Sequence, residues 1–254
     1  MITLFTRART IALILAIMFA GGAQAQPVTA SSAAAPQAKP QPGNDWMVVA
    51  AGQAGGKNNS YSTMGLVAPL PGSKLGKGWV ARVFADELTY RFKGAANREI
   101  DALAFGGSAT VGFMDSDEKG WWGLYAGPGY RHLDLSPNNP GSKRGNIYSA
   151  RVQLEGERLL TDDFKLNGLA GADIANNTGY WTRLRAMHRV EGDIFAGPEG
   201  MWLGDQNYHA YQVGMAIVGM HLTDKAQIGI NGGYRKGEDQ GGAGYGGLEL
   251  GARF

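Results

Sequence analysis

The residues able to do bond chemistry are few and scattered. The four histidines, His132, His188, His209 and His221, lie in separate stretches, and no H-E-x-x-H is present. His209 and His221 share parity within one extended segment, where about 3.4 Å per residue places them roughly 40 Å apart. No first shell for a metal ion can be assembled from this set. Ser108 and Ser149 fall in extended segments, but neither has a nearby histidine to act as its base, and there is no G-x-S-x-G. A nucleophile needs a base within hydrogen-bond reach. The expectation is therefore a non-enzyme with no catalytic residue, no metal and no cofactor.

What the chain does carry is charge on one side of extended segments. Arg151, Gln153, Glu155 and Glu157 alternate with Tyr148, Ala150, Val152 and Leu154. Arg183, Arg185, Arg189 and Glu191 alternate with Tyr180, Thr182, Leu184 and Ala186. With Asp173 and Glu199, these residues suit a polar lumen, predicted as Arg151, Glu155, Glu157, Asp173, Arg183, Arg185 and Glu199. Buried charges must pair, so mutual neutralisation in a narrow barrel is the favoured reading over an open polar path or a sugar-binding lining. Asp115, Asp117 and Glu118 form an acidic stretch read as a solvated loop, with oxygen-ligated calcium as the alternative. Trp121, Trp122, Trp181 and Trp202 could stack on sugar rings; the competing reading makes them girdle or wall residues.

The elements that must position these residues are strands. Beyond residue 45 no window has helical period or a long apolar run. The period is two, broken by Gly, Asn, Asp and Pro. Twelve strands are predicted, near 45–55, 61–70, 78–92, 99–113, 120–133, 146–160, 163–175, 178–191, 193–203, 207–222, 225–236 and 243–254, with ten as the alternative count. A soluble exported sandwich would alternate too. Three features favour an antiparallel up-and-down transmembrane barrel. Several segments exceed 12 residues, against a usual strand of about 5–6. The polar face mixes Arg with Glu, as in a hydrated lumen. Trp79, Trp121, Trp122, Tyr148, Tyr180, Trp181, Tyr208 and Tyr234 sit near segment ends, as in an interfacial girdle. The stretches 92–99, 114–119 and 134–145 are read as extracellular loops. At the C-terminus, Leu248, Leu250, Ala252 and Phe254 share one face, like the signal by which barrel-insertion machinery recognises its substrates.

The flanks agree. Arg7 and Arg9, the apolar run Ile11 to Ala20 and Ala23-Gln24-Ala25 make a three-part signal peptide, residues 1–25. Residues 26–44 are rich in Ala, Pro, Ser and Gln and read as a disordered tether, leaving one domain, 45–254. Two of the 24 basic residues lie in the signal, so the rest balances the 22 acidic residues. No clustered basic face for nucleic acid is present. There is no Cys, which excludes a disulfide scaffold and a lipid-modified cysteine. Gly numbers 40, over twice its usual share of about 7%, without a collagen period.

A family pattern runs through these segments. Phe195-Ala196-Gly197-Pro198-Glu199 is followed by Gly204-Asp205-x-x-Tyr208, Gly214, Gly232-Gly233-Tyr234-Arg235 and Gly244-Tyr245-Gly246-Gly247-Leu248. Upstream, Tyr125-Ala126-Gly127-Pro128-Gly129 and Gly156-Glu157 fit the same layout. The order of these motifs resembles the bacterial cellulose biosynthesis protein BcsS family over roughly 45–254. The resemblance implies an outer-membrane component of cellulose production and supplies no catalytic residue. Each Gly-Pro lies inside a strand segment, where Pro predicts a bulge or a strand end. Glu199 is the one charged residue in its motif. The expected function is a binding or scaffold barrel in the outer-membrane lipid, assisting synthesis, export or surface attachment of a β-glucan. Alternatives are a small-solute channel, a lipid hydrolase or acyltransferase, and a purely structural protein.

Overall fold

The computed structural model describes residues 46–56, 59–94, 97–139, 144–175, 179–205, 208–237 and 241–254. The signal peptide and tether expected over 1–44 lie outside the described residues. Twelve strands follow one another: β1 (Met47–Gly55), β2 (Asn59–Pro69), β3 (Gly78–Lys93), β4 (Glu99–Asp117), β5 (Gly120–Ser136) and β6 (Gly145–Leu159), then β7 (Phe164–Ile174), β8 (Gly179–Glu191), β9 (Ile194–Asp205), β10 (Tyr208–Thr223), β11 (Ala226–Gly237) and β12 (Gly241–Arg253). Each pairs antiparallel with its neighbours, and β1 pairs with β12, closing the barrel. The seam runs from Met47↔Arg253 to Gly55↔Tyr245. It is finished by the Phe254 amide donating to the Trp46 carbonyl at 3.0 Å and by stacking of the two rings, centroids 4.5 Å apart.

Both ends of the barrel sequence meet at one rim, here the terminal rim. It also carries the connections 70–77, 118–119, 160–163, 192–193 and 224–225. Closure leaves no unpaired edge, the condition for placing strands in lipid. The outer face is apolar around its waist: Val83, Val111, Leu154, Leu184, Val213, Met215 and Ile230 are all exposed. Aromatics band both ends. Trp79, Phe113 and Trp122 ring the terminal side; Tyr130, Tyr148, Trp202, Tyr211 and Tyr234 ring the far side. This is the belt and double girdle of a transmembrane barrel.

Several expectations are corrected. β4 and β5 extend to Asp117 and Ser136, beyond the predicted ends at 113 and 133. The acidic loop over 114–119 is therefore strand plus a two-residue turn. Asp117 Oδ1 makes that turn, accepting the amides of Lys119 at 2.8 Å and Gly120 at 2.9 Å. The turn lies on the terminal rim, whereas 92–99 and 134–145 lie on the far rim, so the three cannot share a side of the membrane. Neither Gly-Pro ends a strand or makes a bulge. β5 pairs β4 at Ser108↔Gly129 and again at Val111↔Ala126 in unchanged register. β9 pairs β8 at Arg185↔Glu199 and again at His188↔Ala196. Pro lacks the N–H, so the ladder opens for two residues on one side and resumes.

Candidate functional site

The alternation of each strand turns polar groups inward as well as apolar ones, so the site is the filled lumen. Near the terminal rim, Val67, Val80, Met114 and Tyr125 cluster with Leu75, with Met47 and Trp121 packed against them. Leu75 belongs to the 70–77 connection, yet it is 1% exposed. Gly72 and Gly76 adopt positive φ, 84° and 83°, which lets the segment turn in. Across the same level sit Met187, Phe195, Ala216 and Val218. Toward the far rim, Tyr61, Leu88, Ala104, Leu169, Trp181, Met201, Leu203 and Ala210 form a third apolar cluster.

Charge fills the space between. Glu249 of β12 accepts from Arg183 Nη1 at 3.0 Å and from Arg185 Nη1 at 3.0 Å and Nη2 at 2.5 Å, both arginines reaching from β8. Arg185 Nε donates to Glu199 at 2.5 Å. Asn231 and the Tyr245 hydroxyl complete Glu199 at 2.9 and 3.2 Å. Arg183 Nη2 also donates to Asn167 at 3.3 Å. All four charged residues are buried. A second centre joins Arg151 to Asp173 in a two-pronged pair, both bonds 2.7 Å, with Ser108 at 3.2 Å. A third joins Arg82 to Glu155 at 3.0 Å, with Gln153 on the same carboxylate at 2.9 Å and the guanidinium 3.8 Å over the Tyr125 ring. Lys165 pairs with Glu157 at 3.0 Å and lies 4.1 Å from the Phe195 centroid. Arg131 approaches Asp86 at 3.7 Å. Every one of these cations faces a carboxylate; Arg235 is buried as well, in the cavity beneath the far rim.

The seven residues read from sequence as a lumen network thus sit inside, in three separate centres and the Lys165–Glu157 pair. Reading by residue missed Glu249, Arg82, Asp86, Lys165 and Arg131. Glu249 stands between Leu248 and Leu250, on the opposite parity, and that parity is the signal that places it inside. Arg189 and Glu191 are not in the lumen. Arg189 is held at the rim by the carbonyls of Asp162 and Gly192, and Glu191 is exposed.

The four tryptophans are not one platform. Trp181 is 0% exposed, under the Arg151 guanidinium at 5.3 Å, and Trp121 points inward against the Leu75 cluster. Neither belongs to a girdle or to a surface stack. Trp122 and Trp202 face outward near opposite rims. Trp202 meets Tyr180 edge-on at 5.6 Å, and the Tyr180 hydroxyl lies 2.7 Å from His209 Nδ1. The Tyr208 side chain lies outside the described residues. The histidines keep apart: His132 bonds Asn146 and Asp134, His188 the Arg189 carbonyl, and His221 Asp193 and Gln227. None of these partners is a serine. Among the described residues no group of three or more His, Cys, Asp or Glu is arranged to hold a metal ion. Leu248, Leu250, Ala252 and Phe254 share one parity along the seam strand and its end; Leu248 is exposed and Leu250 buried.

Arg151→Ala should cost roughly 3 kcal/mol, since it leaves Asp173 buried without its charge partner. Because the guanidinium covers Trp181, the same variant should shift native tryptophan emission. Unfolding in detergent followed by fluorescence reads both.

The chain is similar to several solved structures. The translocator domain of the autotransporter NalP from Neisseria meningitidis superposes with a TM-score of 0.50 at 14% identity, covering 84% of this chain and 89% of that one. The KdgM porin gives 0.49 at 8% identity, covering 82% and 99%. The transport unit of the autotransporter AIDA-I from Escherichia coli gives 0.47 at 12%, covering 83% and 90%. No curated protein sequence matches the chain. The sequence does match, over residues 48–254, the profile of the family described as cellulose biosynthesis protein BcsS. That match takes in every strand from Val48 of β1 to the closing residue, and the chain belongs to the cellulose biosynthesis protein BcsS family.

Proposed function

We propose that the protein is a non-conducting outer-membrane scaffold of cellulose production, exported by its N-terminal signal, which helps make, export or attach a β-glucan by binding it. One observation carries this reading: Arg183 and Arg185 cross the lumen to Glu249, with apolar clusters above and below. A polysaccharide chain has no route through such a barrel without dismantling buried ion pairs. The cavity beneath the far rim, lined by Gln53, Asn59, Tyr61, Gln212, Arg235 and Tyr245, measures about 20 Å³, room for about one water. The work then falls to the rims and the outer wall. The tether leading into β1 puts the terminal rim on the periplasmic side in this reading. Exposed Trp202, with Tyr180 and His209, is one aromatic surface at the far rim. The terminal Phe254 face serves insertion.

Two measurements test it together. Purified protein in planar bilayers should be silent, and deleting the gene should lower cellulase-sensitive glucan at the cell surface. Regular conductance steps would point instead to the small-solute channel. Unchanged surface glucan would leave a structural protein.

A further inference from the structure

The apolar outer wall is interrupted between β5 and β8 by a groove of about 420 Å³, within the range of ligand sites. Gly156 and Gly168, register partners across β6 and β7, form its floor. A Cβ at Gly168 would meet nothing within 4 Å. Trp122 and Leu184 stand on the two sides, 45% and 59% exposed, and Leu166 lines the floor toward the terminal rim. There the groove ends on charge: Asp115, Asp117 and Arg158 all line it.

The charges have different freedom. Asp117 and Arg158 are each in register with Gly120 and meet across it, Arg158 Nη1 to Asp117 Oδ2 at 2.6 Å. Asp117 Oδ1 is taken by the turn amides. Arg158 spends one nitrogen on this bond; Nε and Nη2 have no partner among the described residues, and the side chain is 55% exposed. Asp115 lies two residues toward the waist on the same face, in register with Trp122 and about 7 Å from Asp117. Among the described residues its one bond is from the Ser116 amide to Oδ1 at 3.0 Å. The groove therefore offers an apolar slot at the depth of the Trp122 girdle. At its rim end a carboxylate, Asp115, stands beside Trp122, and the guanidinium of Arg158 lies two residues nearer the rim, where headgroups lie.

We propose that this groove holds a phospholipid with a phosphoethanolamine headgroup. One acyl chain lies on the glycine floor between Trp122 and Leu184. The phosphate takes the open nitrogens of Arg158, a charge-assisted bond suited to a guanidinium fork. The ammonium donates to Asp115. Any lipid chain fills an apolar slot; a guanidinium and a carboxylate together at its rim end are what select. A phosphoglycerol head would meet Arg158 but bring no cation to Asp115 and Asp117. A phosphocholine head carries the cation without N–H groups to donate. The proposal is independent of the glucan reading and of whether the lumen conducts.

The test uses the protein extracted from membranes, exchanged into nanodiscs with equal phosphatidylethanolamine, phosphatidylglycerol and phosphatidylcholine, then released for native mass spectrometry. One phosphatidylethanolamine should be retained per barrel, about tenfold over either competitor. Asp115→Asn should bring phosphatidylglycerol level with it. Arg158→Ala should lower all retention about tenfold, and Gly168→Trp should abolish it, with Gly168→Leu as the milder filling variant should the tryptophan block folding. Retention without headgroup preference in the wild type, or preference for phosphatidylglycerol, overturns the proposal. So does full retention in a folded Gly168 variant.

Discussion

Glu249→Ala should destabilise the barrel by roughly 3–5 kcal/mol, the range for breaking a buried ion pair by removing one partner. Glu249 holds two guanidinium groups, and Arg183 and Arg185 are 4% and 2% exposed. Without it, Arg185 keeps Glu199, but Arg183 keeps only the neutral Asn167 oxygen at 3.3 Å. One carboxylate then faces two buried cations. Glu249→Gln keeps the shape and one acceptor, and should cost less than alanine. Asp101→Ala breaks the Arg91 pair at the far rim, where both side chains are in water, and should leave the unfolding midpoint unmoved. Denaturant unfolding in detergent, with heat-modifiable gel migration as the folded marker, reads all three. A Glu249→Ala midpoint equal to wild type would mean that water or a flanking carboxylate replaces the lost charge. The lumen would then not be sealed at that level.

Glu249 also shows where sequence reading stops. The strands were legible because lipid enforces period two over long stretches, and twelve segments were marked within a few residues of their observed bounds. β4 and β5 came out short because Asp115, Asp117 and Asp134 look like loop residues; nothing local says that Asp117 closes a two-residue turn. Parity was enough to place Arg151, Arg183 and Arg185 inside. It was also enough to place Trp181, which shares parity with both β8 arginines, and to separate Trp121 from Trp122, which as adjacent residues must face opposite ways. Residue type near a strand end points those two tryptophans to a girdle, and type is the weaker guide. Which charges meet is a different matter. Arg183 and Glu249 are separated by 66 residues and join only because closure and strand tilt bring β8 and β12 to the same depth across the lumen. Leu75 could not be read at all, since a connection has no parity.

Gly197→Ala should fail to fold, or fold with a loss of about 3 kcal/mol, at the upper end for forcing volume into packed structure. A Cβ there would lie 2.0 Å from the Ala186 carbonyl oxygen and 3.0 Å from its carbon. The obstacle is backbone, which cannot rotate away as a side chain would. Its position explains the pairing of Gly with Pro. Pro198 offers no N–H, so the β8–β9 ladder lapses between Glu199 and Ala196. The Ala186 carbonyl on the facing strand presses toward the chain, and only a residue without Cβ leaves it room. The same arrangement recurs at Gly127, where a Cβ would lie 2.2 Å from the Ala109 oxygen, beside the lapse before Pro128. Gly168→Ala is the matched control. It also lies mid-strand, has open space at its Cβ, and should be neutral or up to about 1 kcal/mol more stable. If Gly197→Ala and Gly168→Ala unfold alike, the Gly-Pro motif answers a demand other than close approach of strands. If only the first collapses, the two Gly-Pro motifs are places where the wall gives up ladder bonds yet keeps register. Glu199, one residue on, then reaches Arg185 at the depth the lumen requires.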